Sequence, residues 1–107
     1  MWDTEVRRIV DLEERAGELV GLVGSYKSVG QIVVESKDEV KWLESAAGRF
    51  RRHKALTQSI RDLHNGLSRL LAQKNERGDF RETTVEVESL YDTLLVQCDR
   101  VTGKRHI

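Results

Sequence analysis

Apolar residues recur three and four positions apart along most of this chain, and polar residues fill the places between them. Ile9, Leu12, Ala16, Leu19, Val23 and Tyr26 form a first stripe. Val40, Leu43, Ala47, Phe50, His53, Leu56, Ile60, Leu63, Leu67 and Leu70 form a second, with one irregular step around His53. Phe80, Val87, Leu90, Leu94, Cys98 and Val101 form a third. That period places each set on one face of an α-helix. The stripes predict helices over 4–26, 37–73 and 80–102.

Two start signals sharpen the boundaries. Ser36-Lys37-Asp38-Glu39 and Asp79-Phe80-Arg81-Glu82 each set a capping residue three places before a glutamate and ahead of an apolar stripe. Asp3 is the corresponding cap of the first helix, which ends between Gly24 and Gly30. The polar run Lys74-Asn75-Glu76-Arg77-Gly78 reads as a tight turn, and Thr102-Gly103 as the last stop. Gln31-Ile32-Val33-Val34-Glu35 is β-branched and lacks helical period, so it reads as an extended apolar connection laid across the helices. Gly48, behind Ala46 and Ala47, lowers helix propensity by about 1 kcal/mol relative to alanine. It is where the long second helix would kink or split.

Composition agrees with long helices. The chain has no proline, against a usual share of about 5%, and nothing in it forces a helix to stop. Its 107 residues fit a single domain over residues 1–107. Charged residues make up 34% and apolar ones 38%, so the core must be narrow. Three antiparallel helices with short connections, the second the longest, satisfy these terms. The expected fold is all-α, an antiparallel three-helix bundle. A seam as continuous as Val40 to Leu70 would equally pair with its copy in another chain; a monomer is the expectation and a homodimer the alternative.

Charge and candidate chemistry narrow the function classes. Eighteen basic residues balance eighteen acidic ones, which argues against bulk binding of nucleic acid or anionic membranes. No apolar run reaches the length of a membrane span and no signal-peptide pattern opens the chain, so a soluble, cytoplasmic protein is expected. His53 and His64 stand eleven residues apart on one predicted helix, about 16 Å along its axis, too far for one metal ion. Cys98 lies on the apolar stripe between Leu94 and Val101, the place of a small buried hydrophobe, and no local motif supplies it with a base. These patterns predict no catalytic, cofactor-binding or metal site. The densest basic run, Arg49, Arg51, Arg52, His53 and Lys54, continues loosely to Arg61. Its plain reading is a solvated helix face. Its functional reading is a contact with another protein, joined by Trp42 at the edge of the seam.

Arg52-His53-Lys54-Ala55-Leu56-Thr57-Gln58-Ser59-Ile60, with Leu63 and Leu67, then Gly78-Asp79-Phe80 and the Val87, Leu90, Leu94 spacing, resembles the second and third helices of a spectrin repeat. The resemblance covers about residues 50–95. It implies a non-enzymatic spacer or docking module of a cytoskeletal or nuclear-envelope linker protein. The end of the third stripe, Leu95 to Val101, looks like the closing helix of BAG domains, but departs from it at the functional positions, with Thr84 and Asp92 where that family carries a chaperone-contacting Arg and Gln. The alternative expectation is therefore an adaptor or co-chaperone-type module, BAG-like or ubiquitin- or SNARE-binding, that recognises a globular partner through its second and third helices.

Overall fold

The computed structural model describes residues 2–23, 29–76 and 78–103. They form four helices: α1 Trp2–Val23, α2 Val29–Arg49, α3 Lys54–Asn75 and α4 Arg81–Thr102. Among the described residues there is no strand. The expected three helices are thus corrected to four, because the predicted second helix is two helices that fold back on one another. The break falls at 50–53, just beyond Gly48. There the Phe50 carbonyl accepts the His53 backbone N–H at 2.9 Å and the Thr57 hydroxyl at 2.6 Å, while the His53 carbonyl takes the Thr57 N–H at 2.9 Å. Phe50 itself is buried in the core. A turn that satisfies its own carbonyls and anchors an aromatic ring needs neither glycine nor proline.

The extended connection expected over 31–35 is also corrected, since α2 already begins at Val29. Ser36 therefore lies inside α2 and is not its cap. Likewise α1 starts at Trp2, which places Asp3 within its first turn. Tyr26, the last member of the first stripe, lies outside the described residues. The third predicted helix, as α4, keeps bounds close to expectation, but its N-cap is Phe80, with no side-chain cap hydrogen bond, and not Asp79. Asp79 accepts the backbone N–H of Arg81 at 3.1 Å, α4 begins at Arg81, and Gly103 ends it with φ 76°.

Cross-helix contacts define the arrangement. His53, at the start of α3, meets Glu5 near the start of α1, and Lys74, at the end of α3, bonds the carbonyl of Val23 at the end of α1. Helices α1 and α3 therefore run parallel. Arg15 pairs with Glu39 between α1 and α2, Tyr91 reaches back to Glu13, and Arg69 meets Glu86. The first two join the middles of their helices; direction follows from the tight turn at 50–53, which reverses the chain from α2 into α3, and from Arg69 late in α3 meeting Glu86 early in α4, so α2 and α4 run antiparallel to α1 and α3. The result is an up-down-up-down bundle 44 Å long, in which α2 and α4 occupy opposite corners and do not touch.

Its core is drawn mainly from the stripes read in the sequence, with Ala46 added and with Val40, Phe80, Leu90 and Val101 only partly buried against it. Ile9, Leu12, Ala16, Leu19, Val23, Leu43, Ala46, Ala47, Leu56, Ile60, Leu63, Leu67, Leu70, Val87, Leu94 and Cys98 are all buried. The seam from Leu43 to Leu70 is thereby spent within the chain. Close approach matters at two glycines. A Cβ on Gly17 would stand 2.6 Å from the Tyr91 hydroxyl, and one on Gly66 would stand 2.8 Å from Leu90 Cδ1.

Candidate functional site: a basic corner between α2 and α3

Folding back at 50–53 gathers the basic run at one corner of the bundle. Arg49 is the last residue of α2, Arg51 and Arg52 occupy the turn, Lys54 opens α3, and Arg61 follows two turns later; all five are exposed. Between residues 49 and 61 the sequence has five Lys and Arg and no carboxylate. No ion pair joins Arg49, Arg51, Lys54 or Arg61 to a carboxylate among the described residues.

The corner is electrostatically uncomfortable. Helix α3 starts without a side-chain cap and without an acidic residue in its first turn. Arg51, Arg52 and Lys54 lie at its positive dipole end, where each is unfavourable by a few tenths of a kcal/mol, up to about 1, and the carboxylate near them is Glu5 of α1, held by the N-cap His53. A helix start built only for stability would carry Asp or Ser there.

Two shallow depressions meet at Arg61. Arg51, Lys54, Thr57 and Gln58 line one with it. The other runs between α2 and α3 over Ala47 and Gly48, with Glu44 and His64 at its rim. Gly48 has open space where a Cβ would be, so a partner's backbone can come close to α2 there. Lys54, Gln58 and Arg61, four and three residues apart, stand on one face of α3 over about 10 Å.

Trp42 does not belong to this corner. Its ring stacks under the Arg15 guanidinium, 3.6 Å from the ring centroid, and Arg15 holds Glu39 with both nitrogens, at 2.9 to 3.2 Å. Trp42 is half-buried and works as a clamp between α1 and α2. Of the six expected partner-binding residues, the structure brings together the five cations and assigns the tryptophan to the fold.

The histidines sit beside the corner. His53 Nε2 lies 2.5 Å from Glu5 Oε1 and ties the α2–α3 turn to α1. This hydrogen bond, with the nearby charges of His53 and Arg52, holds the Glu5 carboxyl below the usual range. His64 lies 3.9 Å from Glu44 and 3.2 Å from Asn65 Oδ1, half-buried between α2 and α3. Cys98 is fully buried. Among the described residues, no three His, Cys, Asp or Glu side chains are grouped to hold a metal ion. Among the described residues no helix is long and apolar enough to cross a membrane.

Sequence reading missed one cation altogether. Lys74 was expected in an exposed polar turn, yet it is buried, bonds the Val23 carbonyl and faces the Phe80 ring at 4.9 Å. Its only sequence signal is its fit to the α3 stripe, four residues after Leu70. No protein family, no curated protein and no solved structure matches the chain.

Proposed function

We propose that this chain is a non-enzymatic protein-interaction module that docks a carboxylate-rich surface of another protein through its α2–α3 corner. One observation carries the reading. Five exposed cations gather at one corner of a chain of zero net charge, and three of them, Arg51, Arg52 and Lys54, stand at the start of α3, where they oppose its dipole. Charge placed against the fold's own interest is characteristic of binding sites. The neutrality of the whole favours a discrete acidic partner over nucleic acid, which rewards accumulated charge.

This reading is a narrowed form of the adaptor alternative: recognition moves from the predicted second and third helices (37–73 and 80–102) to α2 and α3, the two parts of the predicted second helix. A spacer role in a cytoskeletal or nuclear-envelope linker protein is the form suggested by the spectrin-like stretch over residues 50–95. A cytoplasmic setting suits both. The test is affinity capture from extract of cells that do not make the chain, with the wild type and a Lys54→Glu/Arg61→Glu variant as baits. A globular acidic protein held by the first and lost by the second is the expected result. Filament proteins retained equally by both would favour the spacer, and retention of nucleic acid would overturn the reading.

A further inference from the structure

The complement of the basic corner is present on the same chain. From Glu82 to Asp99 the sequence has five carboxylates and no Lys or Arg. Helical spacing puts Glu82, Glu88, Asp92 and Asp99 on the outer face of α4, around Val85 and Val96. Glu82, Glu88 and Asp92 are exposed, and none of them has an ion pair among the described residues; Glu86, to one side, is taken by Arg69 at 2.5 Å. Val85 and Val96 are 66% and 48% exposed, the large hydrophobic residues most open to solvent among the described ones. They stand three turns apart, about 16 Å, with Asp92 between them.

We propose that a second copy of this chain is a partner of the basic corner, seated through the outer face of its α4. The inference rests on the corner being an interaction surface, and it names what that surface meets. Arg51, Lys54 and Arg61 of one copy face Glu82, Glu88 and Asp92 of the next, and the two valines close over the shallow floor at Ala47 and Gly48. Within one molecule no ion pair joins Arg51, Lys54 or Arg61 to Glu82, Glu88 or Asp92 among the described residues; the corner lies on the α2 side of α3, and α2 does not touch α4. The contact is therefore heterologous. One copy's corner engages its neighbour while its own α4 stays open to a third, so association is open-ended. Zero net charge permits this growth, since no overall repulsion accumulates.

Sedimentation velocity of the full chain at rising concentration tests the contact, at about 0.02 M and about 0.5 M salt, where the screening length falls from about 20 to about 4 Å. At low salt the weight-average mass should climb from the 12.3 kDa monomer to at least twice that; high salt should return it to the monomer. Lys54→Glu/Arg61→Glu and Glu88→Lys/Asp92→Lys should each remain monomeric while keeping wild-type helicity by circular dichroism. Mixed together, the two reversed variants should regain growth, because each now presents the complement of the other. Should a reversed pair fail to fold, Lys54→Gln/Arg61→Gln supplies the loss of association. A wild type that stays monomeric at low salt, growth that survives high salt, or reversed variants that do not assemble when mixed would overturn the proposal. The corner reading fails separately, if no acidic protein depends on Lys54 and Arg61 for capture.

Discussion

The two ends of α3 use lysine in opposite ways. At its N-terminus Lys54 is exposed beside Arg51 and Arg52, against the positive end of the helix dipole. At its C-terminus Lys74 is buried in the last turn, where the dipole favours a cation, and it bonds the terminal carbonyl of α1. Lys74 ties one end of the bundle together, as Arg15 does at mid-length through Glu39 and Trp42. Lys54 does nothing comparable for the fold. The contrast separates cations that hold the structure from cations left for something else, and net charge conceals it.

The largest test of that contrast lies between the faces of α3. Leu63 is fully buried, and Leu63→Ala should cost about 2–5 kcal/mol, whereas Arg61→Ala should change stability by less than about 0.5 kcal/mol. Chemical denaturation gives both values. Equal losses would mean that α3 presents the wrong face to the core.

Next comes Lys74→Ala, which leaves a buried carbonyl without this donor and should cost about 1–3 kcal/mol. Burial also lowers the Lys74 pKa. The unfolded chain then holds this proton more tightly than the folded one, so the contribution of Lys74 to stability rises with pH towards its ordinary alkaline value. Thermal melts between neutral and mildly alkaline pH should show that rise in the wild type and lose it in Lys74→Ala.

Arg15→Ala should cost about 1 kcal/mol, since its pair is half-exposed and its stacking on Trp42 adds modestly. Quenched or shifted tryptophan emission would report the loosened α1–α2 clamp. At the corner the sign should reverse. Lys54→Glu places an acid in the first turn of an uncapped helix and should stabilise by about 0.3–1 kcal/mol. A destabilising result would show that Lys54 serves the fold, and would remove the ground for treating the corner as a binding surface.

The smallest effect is acid sensitivity. Glu5 is held low chiefly by its hydrogen bond with His53, and Asp79 by the Arg81 backbone N–H and side chain. A carboxyl whose folded pKa is depressed stabilises at pH values above the ordinary carboxylate range and loses that contribution as pH falls through the lowered value. Melting temperature should therefore fall below about pH 4, and Glu5→Gln should flatten the fall.

Much of this was legible in the chain and some was not, for identifiable reasons. The core residues follow from periodicity, because a helix must bury a stripe and the stripe is a local pattern. The split at 50–53 left two signs in the chain, Gly48 just before it and the irregular step at His53. Its cause is the bonding of Phe50 and Thr57 across the turn, which no propensity scale contains. The run Ile32-Val33-Val34 suggested extended chain, but β-branched residues cost a helix only tenths of a kcal/mol each. Lengthening the helix already specified by the stripe from Val40 gains a hydrogen bond per residue without a new nucleus.

For the candidate site, the basic run was visible as residues 49–61, and Trp42 was legible at the edge of the seam, while its stacking with Arg15 was not, because Arg15 lies on another helix. By itself the sequence determined that the chain is helical, which faces are apolar, and where positive and negative charge concentrate, since all three are written in short-range order. Only the tertiary structure decided that there are four helices, that Lys74 is interior, and that the basic corner and the acidic α4 face are kept apart. Those outcomes depend on which helices lie beside one another, and that is settled by the packing of the whole core at once.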